Sequence, residues 1–205
     1  MLGVPRRTCN KQGYAMIVAA LALAVLAPAD GTTQCQYDRS AMMALDLPEF
    51  DQDMNGGWRT LEAKDCAKEA ANLIRVWREA HGSMGPADTL LSWHEGQLRA
   101  DVGQYADAIR LFQAGRHPAA DDAKWGWNLY VDGSIAFLRG DRRKLEAARA
   151  KLAALPRPAE LKDAVGPDGK PRAVRWPMNI RVLDGFLHCW GQSYKAAYRC
   201  PVPTP

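Results

Sequence analysis

The sequence is poor in the compact signatures from which chemistry is usually read. Its five cysteines include no Cys-x-x-Cys pair, which argues against a zinc site. His94-Glu95 has no second histidine four residues on, so the helical zinc-protease pattern fails. A Gly-x-Ser-x-Gly elbow and a phosphate-cradling glycine loop are both missing. The four histidines, His81, His94, His117 and His188, are scattered, and in a helix Cys189 would point about 100° away from its neighbour His188. No catalytic constellation emerges, and the chain reads as non-catalytic. No alternating run of strand type occurs, and no stretch of basic residues forms the patch that a nucleic-acid partner requires.

What is present begins with an export signal. Arg6, Arg7 and Lys11 precede an apolar run of 13 residues, Ala15 to Ala27, and Ala27-Pro28-Ala29 is a small-x-small cleavage site before Asp30. That order predicts a secretory signal peptide over residues 1–29 and a single helical domain over 30–205, placed in a bacterial-type periplasm or outside the cell. A bilayer takes about 20 apolar residues, so no stable span is expected once the signal is removed. Removal also takes three of the 27 basic residues, leaving 24 against 23 acidic, and the apparent basicity disappears. Cys9 leaves as well. Cys35, Cys66, Cys189 and Cys200 remain, an even set in an oxidising compartment. Of the three possible pairings, Cys35 with Cys66 and Cys189 with Cys200 is favoured, because each would staple a chain end to a nearby helix. Closing a loop of this kind contributes on the order of 2–4 kcal/mol.

Apolar residues recur at helical spacing through most of the remainder. A short helix is expected over Asp38 to Leu47, a longer one from Trp58 to Ala80, and another from Thr89 to Val102 with Asp88 as its cap. Ala106 to Gln113 continues as a helix. A segment through Trp125 and Phe137 ends at Gly140, and Asp141 caps a helix to Leu155. Pro156 to Pro177 is a polar stretch, long for a loop inside a compact domain. Met178 to Ala197 is read as one last helix.

Two of these segments align at a spacing of 37 residues. Gly96-(six residues)-Gly103 recurs as Gly133-(six residues)-Gly140, with Trp93 answering Tyr130, and Asp184-Gly185 followed by Gly191 and Tyr194 gives a third echo. A small residue inside a helix lets its neighbour approach, and a turn glycine supplies positive φ. The stretch Gly103-Gln104-Tyr105-Ala106-Asp107-Ala108-Ile109-Arg110-Leu111-Phe112 resembles the second half of a tetratricopeptide repeat, including its Ala-x3-Phe spacing. The resemblance is degenerate, with a period of 37 rather than about 34, and covers roughly Thr89 to Leu155. It implies an all-α fold, with antiparallel helix pairs in a short solenoid of seven to eight helices, near 58–80, 89–115, 125–155 and 178–197. It also implies a concave groove faced by Trp93, Gln97 and Asp101 from one unit and by Trp127, Tyr130 and Ser134 from the next. Aromatic residues there would suit a protein or peptide partner, although Trp and Tyr at helical spacing serve equally as core.

The sharpest local pattern runs from Asp51 to Glu62. It satisfies the twelve-residue calcium-loop spacing, with Asp51, Asp53 and Asn55 as oxygen ligands, Gly56 at the turn and Glu62 closing the loop. Against it, Arg59 sets a cation beside the site and no second loop pairs with it; Asp53 or Asn55 could instead cap the following helix. The residues thus favour an exported, non-catalytic helical-repeat adaptor for a protein or peptide, without a cofactor. A calcium-binding structural or sensor module is the alternative, and a hydrolase with a dispersed site is a distant third.

Overall fold

Helix caps and glycine turns divide the chain more finely than its periodicity suggests. The computed structural model describes residues 34–82, 85–166 and 168–203, together with Gly3, so the expected signal peptide lies outside the described residues. Helix α1 (Arg39–Met43) opens at Asp38, whose carboxylate accepts the Ala41 N–H at 3.0 Å. A π-helical turn, Pro48–Gln52, buries Phe50 and Asp51. The single helix expected from Trp58 onward is two, α2 (Arg59–Glu62) and α3 (Ala67–His81), because Asp65 adopts a positive φ of 64° and breaks the chain between them. Helix α4 (Pro86–Asp101) begins before Asp88, which falls in the first turn rather than at the cap. A proline at the first helical position lacks only an N–H that would have no intrahelical partner.

Next come α5 (Tyr105–Ala114), the one-turn α6 (Ala119–Asp122), α7 (Trp127–Leu138) and α8 (Arg142–Ala153). The buried Asp122 carboxylate accepts the Trp127 and Asn128 N–H groups at 2.7 and 2.8 Å and so caps α7 from outside the helix. The polar stretch that follows holds a minimal ribbon, β1 (Ala164–Val165) antiparallel to β2 (Pro171–Arg172), and is tied back by Trp176 Nε1–H donating to Leu155 O at 2.9 Å. The last expected helix is also two, α9 (Ile180–His188) and α10 (Tyr194–Tyr198), turned at Gly191 with φ 86°. Ten α-helices are therefore described where seven to eight were expected.

Neighbouring helices pack as pairs: α3 on α4, α4 on α5, α7 on α8 and α9 on α10. Helix α9 lies against both α7 and α8, and α10 returns to α4. The all-α class and the paired packing stand as the sequence led us to expect. Gly96 allows close approach within one pair, since a Cβ there would come within 2.7 Å of the Phe112 ring. Gly133, its counterpart 37 residues on, makes room for Leu183 of α9 instead, at 2.6 Å. Disulfides join Cys35 to Cys66 and Cys189 to Cys200, the favoured pairing. Two such bonds fit an oxidising, exported setting, and no helix of the described residues is long and apolar enough to cross a membrane.

Two apolar cores result. One gathers Phe50, Trp58, Leu61, Leu73, Ile74 and Trp77 around α2 and α3; the other gathers Phe112, Val131, Leu145, Leu183, Phe186 and Tyr194 around α5 to α10. Helix α4 stands between them. At about 100° per residue, Leu91 and Leu98 share a face turned to the first core, while Trp93 and Ala100 occupy the opposite face in the second. The two remaining faces are polar. One carries His94, Gln97 and Asp101, the other Glu95 and Arg99.

Candidate functional site

The first polar face of α4 looks into a pocket of about 170 Å³ walled by α2, α4 and α10. Two of its lining residues, Trp58 and His94, are held by Asp51, a carboxylate only 1% exposed. The Asp51 Oδ1 atom accepts Trp58 Nε1–H at 2.8 Å and lies 2.8 Å from His94 Nδ1. Gln52 Nε2 donates to Oδ2 at 2.5 Å, and Arg59 donates to the Asp51 carbonyl while stacking over the Trp58 ring at 4.2 Å. Burial works to raise the Asp51 carboxyl, but the hydrogen bond and charge of His94, with Trp58 and Arg59, outweigh it and hold the group below the usual carboxylate range. The carboxylate thereby orients the imidazole, which lines the pocket beside Trp58.

Farther along α4 the balance reverses. Burial pushes the Asp101 carboxyl up to about 6, against the more distant pull of Arg199 and Lys195 and with the repulsion of Glu62 and Asp65 added. No hydrogen bond relieves it, because those two cations are engaged elsewhere: Arg199 donates to Glu62 at 3.4 Å and Lys195 pairs with Asp65. Tyr194, 1% exposed, brings its hydroxyl into the same wall, beside the Gln97 side chain and Asp101. Burial raises that hydroxyl's pKa well above the ordinary tyrosine value. Aromatic rings, a carboxyl held partly neutral and a buried hydroxyl thus share one small cavity. Ser, Thr and Cys, the usual side-chain nucleophiles, are absent from its lining.

Only part of the sequence-derived groove arrives here. Gln97 and Asp101 line the pocket. Trp93, Tyr130 and Ser134 do not face an open groove, which corrects that expectation: they are 3%, 2% and 0% exposed. Trp93 stacks on Phe112 at 4.2 Å, with Trp127 and Tyr130 at 4.7 and 4.9 Å, and Ser134 Oγ–H donates to Tyr130 O at 2.9 Å. Trp127, half-buried, donates Nε1–H to Gly115 O at 2.7 Å. Their helical spacing reflected core packing.

The twelve-residue acidic loop does not converge either. Asp51 turns inward to Trp58 and His94, Asp53 accepts the Asn55 N–H at 2.9 Å in a local turn, and Glu62 faces Arg199. Among the described residues, Asp51, Asp53 and Glu62 do not bring their oxygens within reach of one common ion. The sequence reading had singled out neither Tyr194, Tyr198 and Arg199 nor the role of His94, since those α10 residues reach the pocket only through the return of α10 onto α4. No known family, curated protein or solved structure matches the chain.

Proposed function

We propose that this is an exported, non-catalytic binding protein of tetratricopeptide-like helix pairs, which holds a protein or peptide partner at the pocket between α2, α4 and α10. One observation carries the reading: the half-buried Asp101 carboxyl lines this cavity with no hydrogen bond of its own, beside the buried Tyr194 hydroxyl. Leaving such a group unsatisfied costs about 1–3 kcal/mol, and a partner's polar group would recover part of that. The pocket, about 170 Å³, is sized for one inserted side chain or a chain end, with the aromatic walls of Trp58 and Tyr198 beside it.

The test is crosslinking in intact cells, followed by mass spectrometry, with the wild type compared with Asp101→Asn and Gln97→Ala. Partners captured by the wild type should be lost with both variants while helicity is unchanged. Equal capture by all three proteins would move the binding site away from this pocket.

A further inference from the structure

A cleft of about 340 Å³ lies between α5, α7 and α8, and none of the six groove residues implied by the repeat resemblance lines it. Helical spacing builds two of its walls. On α7 and its cap, Asp132, Ile135, Ala136 and Arg139 follow at three- and four-residue steps and so share one face. Lys144, Ala147, Ala148 and Lys151 repeat that spacing on α8. The middle of the cleft is apolar, with Ile135, Ala136 and Ala148 buried, and the short alanine side chains leave it open.

Its charge does not cancel once the ion pairs are counted. The acidic residues of the lining are Asp132 and Asp141, and both are used. Asp132 pairs with Arg116, while Asp141 pairs with Lys144 at 2.9 Å and also accepts the Lys144 N–H at 3.0 Å as the cap of α8. The other carboxylates of these helices are taken as well, Asp107 by Arg110 and Glu146 by Arg142. Arg139 and Lys151 remain, both exposed and without a carboxylate partner among the described residues. They stand at opposite ends of the cleft. Arg139 closes α7 at the turn that leads into α8, and Lys151 lies in the last turn of α8. Seven residues at 1.5 Å each separate Lys151 from the Lys144 end, about 10 Å along the axis.

We infer that this cleft is a docking surface for an extended acidic–apolar segment of a partner protein, with an aliphatic side chain on the alanine floor between two carboxylates that meet Arg139 and Lys151. In an extended chain every second side chain points the same way, so residues four apart share a face about 13 Å from one another. Long, flexible cations about 10 Å apart can reach both of them. Burial of the central side chain supplies attraction, and the charges fix its register. The inference does not depend on the pocket between α2, α4 and α10, and neither reading falls with the other.

The probe is the peptide Glu-Ser-Leu-Ser-Glu, acetylated and amidated so that its ends carry no charge, titrated into the oxidised protein and followed by amide shifts in NMR. Saturable shifts on α7 and α8 are expected, weakened by added salt. Arg139→Gln and Lys151→Gln, which break no ion pair of the fold, should each lower the affinity about threefold, and Gln-Ser-Leu-Ser-Gln should bind about tenfold more weakly. Arg143→Gln removes an exposed cation of α8 outside the lining and should leave the affinity unchanged. An equal loss in Arg143→Gln would reduce the effect to general surface charge and overturn the inference. Undiminished binding of Glu-Ser-Ser-Ser-Glu would overturn it too, since the apolar floor would then have no part. So would the absence of saturable shifts at millimolar peptide, including the case in which the protein sediments with phosphatidylglycerol vesicles instead and Arg139→Gln abolishes that.

Discussion

On the face of α4 that carries His94, Gln97 and Asp101, the half-buried Asp101 lacks a cation at contact distance. On the face that carries Glu95 and Arg99, each arginine meets a carboxylate. Both faces are flanked by the same two apolar cores, and although Glu95 and Arg99 are buried where His94, Gln97 and Asp101 are half-buried, the contrast in pairing has another source. It comes from what the surrounding residues supply: α10 brings basic side chains already paired with α2 and the turn after it, whereas Arg78 of α3 and Arg99 of α4 itself converge on Glu95. One polar face is therefore a structural tie, the other a cost carried by the fold.

The largest test of that contrast is Glu95→Gln. Removing one partner of a buried ion network leaves uncompensated charge, and a loss of roughly 3 kcal/mol is expected in urea unfolding. A loss below about 1 kcal/mol would mean that the triad contributes little to folding. Asp101→Asn should act in the opposite sense. Folding raises this carboxyl from 3.8 to about 6, so the folded chain binds the proton more tightly and its charged form is what folding disfavours. The variant should be more stable by about 1 kcal/mol at pH 7.5, the full shift being discounted because the group is partly solvated. That gain should shrink as pH falls through 6 and vanish below 3.8. Melting curves across this range decide it, and a gain that persists at pH 3.5 would refute the assignment. The smallest effect belongs to Glu62→Gln, since a surface pair with Arg199 is worth at most about 0.5 kcal/mol. Millimolar calcium should leave the melting temperature of wild type and variant alike, because the Asp51 oxygens are already occupied by Trp58, His94 and Gln52. A calcium-induced rise that Glu62→Gln abolishes would restore the twelve-residue loop as a site.

Features that depend on neighbours in sequence were legible beforehand. Gly103 and Gly140 do take positive φ at the turns of their helix pairs, and Asp141 does cap its helix, whereas Asp88 does not. The disulfide partners are close enough in sequence for their helices to bring them together. Trp93 faces no groove because its side of α4 packs into the second core. A helix with two apolar and two polar faces has no single stripe, and nothing in the spacing of Trp93 or Tyr130 says which way solvent lies. The acidic loop was misread for a related reason. Its first carboxylate meets His94, 43 residues away, and no local pattern anticipates that encounter.

The return of α10 onto α4 has a kinetic consequence. Lys195 meets Asp65 across 130 residues and Arg199 meets Glu62 across 137, so the pocket's walls come from distant parts of the chain. Pairings this remote in sequence slow folding, since the intervening helices must be stacked before they can form. The pocket is complete only once α10 has docked on α4, and a chain nicked before α10 would be helical yet lack that wall. Competence at this site would report that the whole domain has finished folding.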